Sequence, residues 1–277
     1  MTIRSTPRPW SRYVAIGDSI TEGLHEVSAT TGEHLGWADR LAVALGDVAA
    51  AEGRSFDYAN LAVRGRLIRD ITGPQTDAAI ALKPDLVTIW AGGNDCLRPG
   101  IDGDDLTRRY EGAVRRLRAS GADVLLVTAY NAAQTPGLSW TASRSGVLTA
   151  NLWSIASAHG CYVCDVWGFG ALRDPRLWAY DRIHLTPQGH ARLASRAWEA
   201  LGFPVDPNYA RPLPALEPES TLERAKETAG WVKFFLLPWV GRRVTGRSSG
   251  DGRSGKRTTP RPVDDLRSEF GGHPLVA

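Results

Sequence analysis

Residues 12–23 read Arg-Tyr-Val-Ala-Ile-Gly-Asp-Ser-Ile-Thr-Glu-Gly. Tyr13-Val14-Ala15-Ile16 is a short apolar run that stops at a glycine, so it reads as a buried strand. Gly17 lets the chain turn sharply. Ser19 then stands at a strand-to-helix corner with its hydroxyl exposed. Serine at such a corner is ordinarily a helix cap. It becomes a nucleophile only beside a base.

The same strand-then-helix unit recurs downstream. From Trp37 to Ala51, Leu41, Leu45 and Val48 return at helical spacing. Phe56 to Leu61 is a second strand, and Leu67 to Leu82 a weaker helix broken near Gly73-Pro74. Asp85-Leu86-Val87-Thr88-Ile89-Trp90 is a third strand, ending at Gly92-Gly93-Asn94-Asp95. Asp104 or Asp105 can cap a helix whose Leu106, Tyr110, Ala113 and Leu117 share one face. Val124 to Thr128 is a fourth strand, a helix spans about Ala142 to His159, and Cys161 to Val166 is a fifth strand. Thr186-Pro187 has the form of an N-cap and first helical position. Ala194, Trp198 and Leu201 give that last helix its apolar stripe. Strict alternation of β and α units implies an α/β fold, a parallel sheet with helices on both faces. Ligands of such sheets bind beyond the carboxyl ends of the strands. The strand ends are therefore the place to look for chemistry.

The chain has 277 residues, 43% of them hydrophobic and 23% charged, which excludes a wholly disordered or fibrous protein. A net charge of +3 does not mark a nucleic-acid binder. No run of apolar residues is long enough to span a membrane. The opening Met-Thr-Ile-Arg-Ser-Thr-Pro-Arg-Pro-Trp has no secretory h-region, so the expected compartment is the cytoplasm. Cys96, Cys161 and Cys164 are too few and unevenly placed for a disulfide framework, and Cys161-Tyr-Val-Cys164 in a strand reads as buried thiols.

Character changes after Pro204. Residues 1–203 carry the alternating pattern. Residues 204–245 begin with a proline-rich strap and continue as an apolar helical appendage containing Trp231-Val232-Lys233-Phe234-Phe235-Leu236-Leu237-Pro238-Trp239-Val240. Residues 246–277 are expected to be a flexible basic tail. The apolar stretch either docks on the core, the preferred reading, or sits with its basic neighbours at the inner face of an anionic membrane.

Chemistry-bearing residues cluster at the strand ends. His184, in Asp181-Arg182-Ile183-His184, is the candidate base for Ser19. Asp181, three residues upstream, can reach its Nδ1 within one short loop and fix the tautomer. Asn94 can donate its side-chain amide to a developing oxyanion, and the N–H groups of Gly65 and Ser19 can add to it. Each signal is weak alone; together they form a chemically complete set.

That set resembles the SGNH hydrolases, also called GDSL-type esterases and lipases. Four blocks appear in order: Gly17-Asp18-Ser19, Asn60 to Gly65, Gly92-Gly93-Asn94-Asp95, and Asp181-x-x-His184. The resemblance covers residues 12 to about 202. It implies a flavodoxin-like three-layer α/β/α sandwich with a five-stranded parallel sheet in the order 2-1-3-4-5. It also implies hydrolysis of small-molecule carboxylic esters, with Ser19 as nucleophile, His184 as base, Asp181 as its orienter, and Ser19, Gly65 and Asn94 lining the oxyanion hole. No metal or cofactor is expected. The first block has Ile20 where the name pattern has leucine. Arg64 and Arg66, flanking Gly65, either favour an acidic substrate or face solvent. A silent ligand- or membrane-binding member of the fold, or an acyltransferase using the same acyl-enzyme, are the alternatives.

Other motifs fit less well. Gly246-Arg247-Ser248-Ser249-Gly250 matches a nucleophile elbow in letters but lacks the flanking strand and helix. His25 and His34 are nine residues apart in a polar loop, and Asp102-Gly103-Asp104-Asp105 lacks the rest of a calcium loop. The connections 23–36 and 131–145 are expected to border the pocket, with Trp37, Trp140, Trp153, Trp167 and Trp178 as aromatic candidates there.

Overall fold

The computed structural model describes residues 9–135, 137–215, 220–238, 241, 248–271 and 273–276. The opening octapeptide and residues 242–247 of the basic stretch lie outside these residues. A single sheet forms the centre, flanked by helices. Its strands are β1 (Arg12–Gly17), β2 (Asp57–Asn60), β3 (Leu86–Trp90), β4 (Asp123–Val127), β5 (Tyr162–Cys164) and β6 (Arg257–Pro262), in the order β5-β4-β3-β1-β2-β6. The first five are parallel in the expected 2-1-3-4-5 order.

The sixth strand corrects the sequence reading. Residues 246–277 were expected to be flexible, yet Arg257–Pro262 adds an antiparallel strand outside β2. Two prolines in a basic hexapeptide hide the strand signal, but both are tolerated because this strand is an edge. Side-chain anchors hold it. Arg257 is buried, donates from Nε to the Tyr58 carbonyl at 3.0 Å and pairs with Asp265. Lys256 places its ammonium on the Glu22 carbonyl (2.7 Å), the His34 carbonyl (2.8 Å) and the buried Asp39 carboxylate (2.6 Å). All three of its donors are satisfied.

Period-two alternation sends β1 side chains to two cores. Tyr13 and Ala15 join Trp37, Leu41 and Tyr58 on one face. Val14 and Ile16 join Ile89, Tyr110 and Leu126 on the other. The helices named below are α1 (Ser19–Glu22), α2 (Trp37–Ala51), α3 (Thr76–Ala81), α4 (Gly93–Cys96), α5 (Gly103–Ala119), α6 (Ala142–His159), α7 (Pro187–Ala200) and α8 (Thr221–Trp231). α5 is capped by Asp102 rather than by the expected Asp104 or Asp105, and its carboxylate accepts from the N–H groups of both. α7 has its expected Thr186 cap and Pro187 start.

The helix before β3 does not break at Gly73-Pro74. It widens into a π turn over Ile71–Gln75 and continues as α3. The wider turn accommodates the missing proline N–H. It also aims Gln75 at the sheet, where its amide accepts from Gly17 N–H (2.9 Å) and donates to Gly17 O (3.0 Å). The corner after β1 is thus clamped from outside. Gly17 pairs with Trp90 in the sheet register, so the turns leaving β1 and β3 emerge side by side.

Candidate active site

The turns after β1, β2 and β3 converge with the loop before α7. Ser19 begins α1 directly after the Asp18 cap, whose carboxylate accepts from Ile20 N–H. Its Oγ lies 2.7 Å from His184 Nε2. His184 Nδ1 lies 2.6 Å from Asp181 Oδ2. An ionised carboxylate only accepts, so Nδ1 carries the proton and the lone pair of Nε2 faces the hydroxyl. Asp181 Oδ1 accepts the backbone N–H groups of Ile183 and His184, both at 3.0 Å. Burial opposes the charge of Asp181, but the hydrogen bonds from His184 and from a second histidine outweigh it. They hold the carboxyl well below the ordinary carboxylate range.

The second histidine is His25. Its Nε2 donates to the same Asp181 Oδ2 at 2.9 Å, and its ring stacks on that of His184 with centroids 5.4 Å apart. The bond to Asp181 raises the His25 pKa above its usual 6.5. His25 adopts a left-handed backbone, φ 70°, in the loop after α1. The buried His190 fixes that loop by accepting from Trp37 N–H and donating to the Leu24 carbonyl. Burial pushes the His190 pKa down to about 3, so it stays neutral. The sequence offered no sign of this role for His25, because the contact joins residues 156 apart. His25, Asp181 and His184 are also the described residues that could hold a metal ion, with ligand atoms within 4.8 Å of one another. A cation on His184 Nδ1 would break the hydrogen bond that orients the ring.

Asn94 stands at the start of α4. Its amide donates to Asp18 Oδ2 (3.0 Å) and to the Arg66 carbonyl (3.1 Å). Burial pushes Asp18 up to about 6, against the pull of the Ile20 N–H and of His184. Gly65 has φ 73°, and a Cβ there would meet Ser248 Oγ at 2.3 Å. The glycine is therefore required both by its conformation and by the close approach of the C-terminal segment. Arg64 does not face substrate. Its guanidinium is paired with Glu22 of α1, and its N–H donates to the same carboxylate at 2.6 Å.

A cavity of about 100 Å³ opens at Ser19. Trp90, Tyr130, Leu138, Trp178 and Ile183 give it apolar walls. Of the tryptophans singled out from sequence, Trp178 lines it. Trp37 is in the core, and Trp140 is half exposed at the surface. The connection 131–145 borders the cavity as expected, whereas 23–36 contributes no lining residue and supplies His25 instead. Burial raises the Cys161 and Cys164 thiols to about 11 and about 12, and Cys96 in the same direction, so none is a nucleophile at neutral pH.

Among the described residues the appendage reaches the site through Trp231. Trp231, at the end of α8, is buried and donates from Nε1 to the Asp181 carbonyl at 2.8 Å. Its ring lies against Gly137, where any Cβ would clash at 2.7 Å. Beyond it Phe234 and Leu237 are 64% and 57% exposed. No helix among the described residues is long and apolar enough to cross a membrane.

No curated protein matches the chain. Among solved structures it resembles LAE5, an alpha/beta hydrolase enzyme from the metagenome of Lake Arreo, Spain. The TM-score is 0.58 at 23% identity, over 69% of this chain and 95% of that one. TesA matches with a TM-score of 0.53 at 24% identity, over 69% and 98%. Axe2, an acetylxylan esterase from Geobacillus stearothermophilus, matches with a TM-score of 0.58 at 23% identity, over 74% and 98%. At these identities the structures establish the shared fold. The model of the GDSL-like lipase/acylhydrolase family matches residues 15–192, which contain all four sequence blocks, and the chain belongs to that family.

Proposed function

We propose that this acyl hydrolase cleaves short-chain carboxylic esters through an acyl-enzyme on Ser19. The observation that carries the assignment is the unbroken chain of hydrogen bonds from Ser19 Oγ through His184 to Asp181. His184 takes the Ser19 proton as Oγ attacks the carbonyl carbon. Asp181 stabilises the imidazolium that forms. The oxyanion is held by the N–H groups of Ser19 and Gly65 and by the Asn94 amide, which exchanges one of its present acceptors for it. His184 returns the proton to the leaving alcohol, and water then repeats the sequence on the acyl-enzyme. A cavity of about 100 Å³ favours small acyl groups; sites for drug-sized ligands run to roughly 300 Å³ or more.

The test is covalent labelling by a fluorophosphonate, followed by turnover of p-nitrophenyl esters of graded chain length. The enzyme labels and Ser19→Ala does not, and activity falls steeply as the acyl chain lengthens. Equal labelling of both proteins would remove Ser19 from the chemistry. Product analysis with an added alcohol separates hydrolysis from acyl transfer.

Exposure of Phe234 and Leu237 next to Lys233 favours a second role, peripheral contact with an anionic membrane. The triple substitution Phe234→Ser/Phe235→Ser/Leu237→Ser is expected to abolish co-sedimentation with phosphatidylserine vesicles. No sedimentation of the unsubstituted protein would end this reading.

A further inference from the structure

The cavity wall beside Ser19 contains a cation without a counter-ion. Arg182 lines the cavity and is half buried. Its Nη1 is fully buried and has no hydrogen-bond partner, and among the described residues no carboxylate pairs with it. Two arginines nearby differ: Arg64 is committed to Glu22 and Arg40 to Glu26. The guanidinium carbon of Arg182 lies 5.3 Å from the Trp231 ring centroid. That contact balances part of the charge but supplies no oxygen to the N–H groups. A buried N–H left without an acceptor is costly, and beside a catalytic cavity an acceptor on the substrate is one group that can satisfy it.

The backbone adds an independent argument. Arg182 has φ 60°, a left-handed conformation that glycine adopts freely and arginine rarely. The turn is fixed by Arg182 N–H on the Ala179 carbonyl (2.9 Å) and Ala179 N–H on the His184 carbonyl (2.8 Å). Glycine would satisfy the turn without strain, so the side chain has to justify its place. Asp18 is the acid on the same wall, and its carboxylate is held by Asn94 and the Ile20 N–H rather than by Arg182.

We propose that Arg182 is a specificity-determining residue that selects esters carrying an anionic group close to the scissile carbonyl. The inference rests on the esterase reading and narrows its substrate class. The planar N–H fork fits a carboxylate bidentately, and the low-dielectric wall strengthens the contact.

Three chromogenic esters test it. p-Nitrophenyl butyrate is neutral. p-Nitrophenyl hemisuccinate carries a carboxylate on the acyl side, and 3-carboxy-4-nitrophenyl butyrate carries it on the leaving group. One of the two anionic esters is expected to exceed the neutral one in kcat/KM by roughly ten- to hundredfold, chiefly through KM. Which one does so assigns the side of the cavity that holds Arg182. Raising NaCl from low to high concentration should shrink that ratio. Arg182→Gln should reduce the anionic-to-neutral ratio, measured within the same protein, at least tenfold, and Arg182→Lys should restore part of it. Preference for neither anionic ester, or a ratio unchanged in Arg182→Gln, overturns the inference. The salt series on the unsubstituted enzyme decides the matter even if the variants do not fold. Failure of the esterase reading looks different: none of the three esters would be cleaved and the fluorophosphonate would not label.

Discussion

Asp181 answers to two histidines, and only one of them also reaches Ser19, as the proposed proton relay requires. His184 needs the carboxylate to hold its tautomer; His25 uses the same oxygen as an anchor. The two bonds have different pH signatures. The His25 pKa is raised in the folded protein, so its contribution to stability is complete below the unfolded value near 6.5 and is lost as pH rises through the folded value. His25→Ala should therefore lower Tm more at pH 5.5 than at pH 9, as thermal scans at both values would show. An equal loss at both would mean that the imidazolium form adds nothing. Asn94 sits in a comparable bind, because its amide is engaged by Asp18 and Arg66 before any oxyanion forms. Asn94→Ala should keep its fold, judged by circular dichroism, while kcat falls roughly 10²–10³-fold. Ser19, Asn94, Asp181 and His184 stood out as candidates in the sequence because each lies at a strand end or in a short loop with recognisable spacing. His25 and Arg182 did not. One needs a contact between distant loops, and the other is ordinary in sequence until its missing partner is seen.

At the scale of elements, the five parallel strands were legible because each is a short apolar run closed by a turn. β6 was not, since Arg-Thr-Thr-Pro-Arg-Pro carries no alternation of apolar residues and is recruited by β2 and by side-chain anchors. The strongest of those anchors is Lys256 on Asp39, whose side chain is only 1% exposed. Lys256→Met would leave that carboxylate buried without its cation, at a cost of about 3–5 kcal/mol. Urea unfolding should register the loss, and Lys256→Met/Asp39→Asn should recover a good part of it. An undisturbed midpoint in the single variant would show that β6 is held by its backbone alone. The π turn was also invisible in advance. Gly73-Pro74 announces an interruption, and nothing local says that the helix resumes with Gln75 turned onto Gly17.

For the molecule as a whole, the alternating α/β layout would have been a sufficient description if nothing after the strap packed against it. The C-terminal segment presses Ser248 against Gly65, ties Lys256 to the carbonyl that ends α1, and completes the sheet. Shortening the protein to its alternating part would thus strip a wall from beside the Gly65 turn, which is why membrane binding is better probed by surface substitutions than by truncation. The pairing of Arg257 with Tyr58 spans 199 residues of chain. While the polypeptide emerges from the ribosome, the outer edge of the second strand therefore stays bare until 199 further residues have been made. Its amides and carbonyls are open to a neighbouring nascent chain until β6 arrives to cover them.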